Sequence, residues 1–411
     1  MYRHGLGDCF LLTVTDGAGT HHVLVDFGVL LGTPDAMAIM REVAADVVGV
    51  TGGHLDAVVA THEHWDHISG FAQAEDVLAG LTVGEAWLAW TENPHDEQAK
   101  ALGERRRTAL RAIDEAARAL RAVDADRATR LEGLLGFYGG LGADGRPTTA
   151  TAFQHVKDVA ARIRYLEPGT AFPALGLRVF VLGPPRDPKM IKKSDPSRAH
   201  PEVYELLEGE AALGAAPEPF DASFRVDPEA ARAYALIGDA YQAQGWRRID
   251  DDWLGTADDL ALRLDSDTNN TSVVLAFELG EGGPVLLFPG DAQVGSWLSW
   301  STLEWQSANG HPLRSADLLA RTALYKVGHH GSHNATLRAQ GLELMTSPDL
   351  VAMIPVDRVM AARQKWNMPL PSLLRRLEER TRGRILDAQL GRPAAKPDAL
   401  TAAEWDVFLA H

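Results

Sequence analysis

Short apolar runs alternate with segments of helical spacing along most of this chain. CFLLTV (9–14) and HHVLVDFG (21–28) predict two strands, and the DGAG between them (16–19) has hairpin-turn composition. TPDAMAIMREVAADVVG (33–49) repeats its apolar residues at helical spacing, with Thr33 or Asp35 available as cap and Gly49 as the stop. LDAVVAT (55–61) predicts a buried strand and AWLAW (86–90) the next one. Further strands are predicted at LRVFVLGPP (177–185), TSVVLAFEL (271–279), PVLLFPG (284–290), ALYKVG (323–328) and LVAMIPV (350–356), with GEGG as a hairpin turn between the second and third of these. PSLLRRLEERTRG (371–383) predicts an amphipathic helix with a glycine stop.

Two stretches break the alternation. Residues 96–135 are rich in Ala, Arg and Glu at helical spacing and predict one long helix or a helical hairpin. The arginines there read as a solvated helix face rather than a phosphate patch. Residues 186–262 are irregular, with helical spacing around 229–244. Strands resume after both, so 96–160 reads as a helical insertion and 186–262 as an irregular insertion in a single domain spanning 1–411. Strand groups alternating with helices predict an α/β sandwich. In such folds sites gather on the loops beyond one edge of the sheets.

The formal net charge of −16 disfavours unspecific binding to duplex nucleic acid. The lone Cys9 leaves no partner for an intramolecular disulfide and no cysteine-based zinc site. No run approaches the roughly 20 apolar residues of a membrane span, and the opening MYRHGLGDCFLLTV carries no cleavage signal, so the expected location is the cytoplasm.

The stretch THEHWDHISG (61–70) follows a predicted buried strand and concentrates metal-ligand side chains. His62 and His64 lie two apart on extended chain and point the same way. They can share one ion. Asp66 and His67 begin the next turn and can face a second. Imidazole and carboxylate suit zinc, and also manganese or iron. Glu63 and Trp65 should point away.

This spacing, His-x-His-x-Asp-His, resembles the signature of the metallo-β-lactamase superfamily of hydrolases. LFPGDA (287–292) resembles the strand whose aspartate, here Asp291, bridges the two metals, and YKVGHHGSHNAT (325–336) the loop that supplies the last histidine. His329 and His330 both remain candidates for that ligand, with His330 favoured. VLVDFG (23–28) resembles the strand whose aspartate, Asp26, supports the ligand loop by accepting from a ligand's other ring N–H. GLGDCFLL (5–12), NNTSVVL (269–275) and HHGS (329–332) are similar to the ComEC-like branch, domains like the nuclease-like part of bacterial DNA-uptake channels. The resemblance runs from about residue 2 to 390, outside the two insertions. It implies a four-layer αββα sandwich and two divalent cations, zinc foremost. The metal ligands it implies are His62, His64, Asp66, His67, Asp291 and His330 or His329, with Asp66, Asp291 and His330 central to catalysis. VLGPPRDP (181–188) lacks the additional histidine that many members place near there; His155 or His200 could substitute.

The resemblance further implies a hydrolase in which the ions activate a shared water. The leading expectation is a phosphodiesterase or nuclease acting on nucleic acid or a small nucleotide. The alternatives are another ester-type bond (lactone, thioester, β-lactam, phosphocholine ester), or a sensor that binds a protein partner through the helical insertion. Asn270 in the NNTS turn and Ser332 are the expected substrate contacts. Asp8 is expected near the metals, and WLSWSTLEW (297–305) reads as core packing rather than a base-stacking surface.

Overall fold

The structure, a computed structural model, describes residues 1–17, 19–121, 124–139, 147–197, 202–204, 250–307, 309–364, 366–390, 401–402 and 405–406. One sheet has the order β1 (Cys9–Thr15), β2 (Thr20–Phe27), β3 (His54–Ala60), β4 (Thr82–Ala89), β5 (Ala160–Leu166). Only the β1–β2 pair in it is antiparallel. The other sheet contains β6 (Ala171–Ala174), β7 (Leu177–Gly183), β8 (Val274–Glu278) and β9 (Val285–Phe288) as an antiparallel run. Outside it lies a small ribbon of β10 (Glu304–Gln306) and β11 (Pro312–Arg314). The larger sheet continues from β9 through β12 (Thr322–Lys326), β13 (Val351–Ile354) and β14 (Ile385–Asp387), all parallel. Every position of β8, β9, β12 and β13 is buried, because both faces of this sheet are covered.

The sheets face one another across an apolar core. Phe10, Val25, Val59 and Trp87 of the first meet Val181, Phe277, Phe288 and Leu324 of the second. Phe10 and Phe288 stand edge to face, ring centroids 5.5 Å apart. Among the described residues the helices include α1 (Ala36–Thr51), α2 (Trp65–Gln73), α3 (Glu97–Leu120), α4 (Ala125–Leu135), α5 (Thr149–Val159), α6 (Asp250–Asn269), α7 (Val294–Ser299), α8 (Ser315–Ala320) and α9 (Pro371–Thr381). α1, α2 and α5 cover the first sheet through Met40, Val43, Ile68, Phe71 and Phe153. α7, α8 and α9 cover the second through Trp297, Leu318, Leu373 and Leu377. The architecture is therefore a four-layer αββα sandwich.

A further helical layer sits on this frame. α3 and α4 start where Asp96 and Asp124 accept from the backbone N–H of Ala99 and Arg127. Their apolar stripes (Ile113, Ala117, Leu120, Leu131, Leu135) close over Ala261 and Leu264 of α6.

Several expected boundaries move. The stretch 96–160 divides: α3 and α4 form the added layer, but α5 packs on the first sheet and leads into β5. Within 186–262, the residues from 250 onward are helical and continue past 262 as α6; the helix expected around 229–244 lies outside the described residues. α1 runs past Gly49 and stops at Gly52, which takes the left-handed conformation at φ 63°. Asp35 precedes α1 but its side chain makes no capping bond. Trp297, Trp300 and Trp305 are core residues.

Candidate metal centre

Strands β2, β3, β9 and β12 all end at one edge of the sandwich, and their following loops converge there. His62 and His64 leave β3, and Asp66 and His67 lie in the first turn of α2. Asp26 lies one residue before the end of β2, Asp291 follows β9, and the 329–330 doublet follows β12. Backbone crowding helps hold this arrangement. A Cβ on Gly28 would stand 2.6 Å from the His67 amide nitrogen, so only glycine lets the two segments lie against each other.

Asp66, His67, Asp291 and His330 bring one ligand atom each within 4.8 Å of one another, and all four are buried. His67 Nε2 lies 3.1 Å from Asp291 Oδ2, and His330 Nε2 lies 3.2 Å from Asp66 Oδ2. The opposite nitrogens are also engaged. His67 Nδ1 is 2.9 Å from Asp26 Oδ2, and His330 Nδ1 is 2.6 Å from the Pro355 carbonyl oxygen. Asp26 also accepts from the Thr61 amide and hydroxyl, both at 2.8 Å, which ties the β2 end to the ligand loop.

His62 and His64 form an adjacent pair, with His62 Nε2 3.0 Å from His64 Nδ1. His62 Nδ1 stands 3.0 Å from the Thr61 hydroxyl. His64 Nε2 stands 3.4 Å from the Tyr138 hydroxyl and 3.6 Å from Asp265 Oδ1.

The electrostatics favour a cation. Asp8, Asp26, Asp66 and Asp291 are buried around one buried ammonium, that of Lys326, which is 1% exposed. Lys326 forms an ion pair with Asp8 and reaches Asp291 Oδ1 at 3.3 Å and the Gly290 carbonyl at 2.9 Å. Burial would raise the Asp66 carboxyl, but the His67 charge and the hydrogen bond from His330 outweigh it and hold the group at about 2. Burial would lower His67, but the charges of Asp291, Asp66, Asp26 and Asp8 raise it well above the usual range. Burial lowers His62, takes His64 down to about 3 and takes His329 down to about 4, so these imidazoles are neutral and able to ligate. Asp66 Oδ1 is buried without a hydrogen-bond partner. Excess buried carboxylate, neutral imidazoles and an unpaired oxygen together fit a divalent ion bound by nitrogen and oxygen.

Residues 3–138 match the metallo-beta-lactamase superfamily. The match takes in β1 through β4, the whole 62–67 stretch and the added helices up to Tyr138; Asp291 and His330 lie beyond it. Members of this superfamily are generally hydrolytic metalloenzymes, and the four layers described above are its sandwich. No curated protein matches the chain significantly.

The doublet divides in space. His330 joins the cluster. His329 lines a neighbouring cavity, and its Nδ1 stands 2.9 Å from the Ser332 hydroxyl. The His329 backbone N–H donates to Asp291 Oδ1 at 3.1 Å. His329 and His330 both have positive φ, at 45° and 53°.

Ser332 lines the same cavity. Asn270, expected to meet substrate, instead fastens loops together. Its amide donates to the Ile191 and Lys193 carbonyls at 2.9 and 3.1 Å, and its oxygen accepts from the Gln293 amide at 3.0 Å. A fully buried amide with these bonds has nothing left for a ligand. His155 lies on α5, 3.9 Å from Glu75, and His200 is outside the described residues. Glu63 turns from the cluster to meet Arg106 of α3 at 2.7 Å, while Trp65 is buried beside Gly139. Lys326, Tyr138 and Asp265 were not anticipated. Lys326 alone had a signal, as a charge inside an otherwise apolar strand.

Proposed function

We propose that this protein is a metal-dependent phosphodiesterase, acting on a small nucleotide or on single-stranded nucleic acid. The observation that supports this most is the cavity of about 1490 Å³ beside the cluster. His329, Ser332 and His333 form one part of its wall, and Lys189, Lys192 and Arg263 bring positive charge to another. An anionic ester could sit there with its scissile group toward the cluster. Such local basicity on a chain of net charge −16 suits a compact anion better than a long duplex. The ComEC-like segments at 5–12, 269–275 and 329–332 support the same substrate class.

Asp66, His67, Asp291 and His330 would hold one divalent ion, and His62 and His64 with Asp291 a second, zinc or else manganese or iron. Bound there, such ions would supply Lewis acidity and lower the pKa of a water toward neutrality. The chain's own part is orientation. Lys326 and the His329 amide tie down Asp291 Oδ1, which leaves Oδ2 facing His67. The buried carboxylates are balanced by Lys326 and by His67 and His330, both raised by those carboxylates, so an ion bound there would take the place of the imidazole protons.

A second reading has one observation behind it. Leu102, Leu260, Leu262, Trp366 and Met368 also line the cavity, which suits an ester with an apolar body, such as an acyl lactone. Assays with bis-p-nitrophenyl phosphate, nitrocefin and acyl lactones, with added zinc or manganese, separate the two. Diester turnover that disappears in Asp291→Ala is the expected result. Turnover of lactone or nitrocefin alone would replace the diester reading. Inactivity on every ester would favour a partner-binding role through the α3–α4 layer.

A further inference from the structure

We infer that His64 is oriented as a metal ligand by Tyr138 and Asp265, two positioning residues supplied by the helical layer rather than by the two-sheet sandwich. This rests on the two-ion reading above and adds residues to it.

The argument starts from imidazole geometry. The two ring nitrogens point to opposite sides, so a histidine that binds an ion through one can be held only through the other. Three of the four histidines here have their far nitrogen held by a neighbour in the sandwich. Asp26 holds His67, the Pro355 carbonyl holds His330, and the Thr61 hydroxyl faces His62. His64 turns Nδ1 toward His62 Nε2, and its Nε2 therefore points outward. There it meets the Tyr138 hydroxyl at 3.4 Å and Asp265 Oδ1 at 3.6 Å.

Both groups are themselves fixed. The Tyr138 hydroxyl donates to the Leu264 carbonyl at 3.2 Å and lies 2.8 Å from the Thr268 hydroxyl, both on α6. Its proton is thus committed to α6, and its oxygen is left to accept from His64. The Tyr138 ring stands edge-on to the His64 ring, centroids 5.2 Å apart. Asp265, one turn of α6 before Asn269, has Oδ2 within 3.4 Å of the Asn269 amide nitrogen. With the Tyr138 oxygen as acceptor at Nε2 and the Asp265 carboxyl just beyond hydrogen-bond distance, the ring is placed to carry its proton there and to keep the Nδ1 lone pair for the ion shared with His62.

Zinc titration of the metal-depleted full chain against a chromophoric chelator tests this, with His64→Ala marking which equivalent belongs to the His62–His64 position. Two equivalents are expected in the unsubstituted protein. Asp265→Leu and Tyr138→Phe should weaken the equivalent that His64→Ala removes, Asp265→Leu by about 10–100-fold, and leave the other unchanged. Asp265→Asn keeps an oxygen acceptor and should restore most of the loss. Thermal unfolding of each metal-depleted variant verifies that the chain is folded. Unchanged affinity in both variants overturns the inference, as does equal weakening of both equivalents or an Asp265→Asn variant as weak as Asp265→Leu. A single equivalent in the unsubstituted protein would instead remove the two-ion reading, and this inference with it.

Discussion

The two parts of the candidate metal centre differ in what stands behind them. Asp66, His67, Asp291 and His330 are backed by the sandwich itself: Asp26 from β2, Lys326 from β12 and the Pro355 carbonyl just after β13. His62 and His64 leave the same strand end, yet the far side of His64 is closed by Tyr138 and by Asp265 of α6, in the added layer. The four-residue cluster is thus backed by the sandwich edge alone, while the His62–His64 pair is closed on its far side by helices laid over that edge. The same layer also lines the cavity, through Leu102 and Ala109 of α3 and Leu260 and Asp265 of α6, so a single structural unit borders both.

The largest effect expected is on the sandwich-backed position. Asp66→Ala should abolish turnover and remove one equivalent of metal by elemental analysis, with the far-UV circular dichroism unchanged. Retention of both activity and metal would show that the buried cluster is not the working half. Next comes the junction between the two regions. Arg106 of α3 reaches Glu63 at 2.7 Å and Glu92 at 3.5 Å, and these side chains are only 9–16% exposed. Arg106→Met leaves Glu63 without its cation and should cost about 3 kcal/mol in chemical denaturation. Adding Glu63→Gln should recover most of that, since the unpaired charge is then gone. Full stability in the single variant would mean that the layer is held by its apolar stripes alone.

The smallest effect lies far from the centre and acts as a control. Hydrogen bonds from Arg376 hold the Glu343 carboxyl down to about 2, against an ordinary 4.5. Its stabilisation is complete above the ordinary value and is lost as pH falls from there toward 2. Glu343 is partly exposed, so the discounted contribution is roughly 1 kcal/mol. Glu343→Gln should flatten the stability profile over that interval and leave metal binding untouched; an altered metal affinity would mean that the regions communicate more widely than the contacts suggest.

Strands β8, β9, β12 and β13 were legible in the sequence because burial on both faces writes them as unbroken apolar runs. β5 was not, since AARIRYL is largely exposed and carries Arg162 and Arg164 at the sheet's edge, where charge is a protective feature rather than a strand signal. The 62–67 stretch was legible because its ligand types are close in sequence. Asp291 and the 329–330 doublet were reached through family likeness, not spacing. Tyr138 and Asp265 had no local signal: a tyrosine before two glycines and an aspartate in a polar helix acquire meaning only when α4 and α6 meet. Asn270 misled for the opposite reason, because a polar turn residue beside a site looks the same in sequence whether it faces a ligand or ties loops.

The left-handed turn at 329–331 has a consequence for any attempt to harden this chain. His329, His330 and Gly331 all have positive φ, at 45°, 53° and 82°, and only the glycine takes this without steric penalty. The two histidines therefore hold roughly 1–2 kcal/mol of unfavourable backbone energy each. A thermostability screen would be drawn to glycine at both positions, and in doing so would erase the imidazole of the cluster or the one on the cavity wall. At this turn, selection for heat resistance and selection for turnover pull in opposite directions.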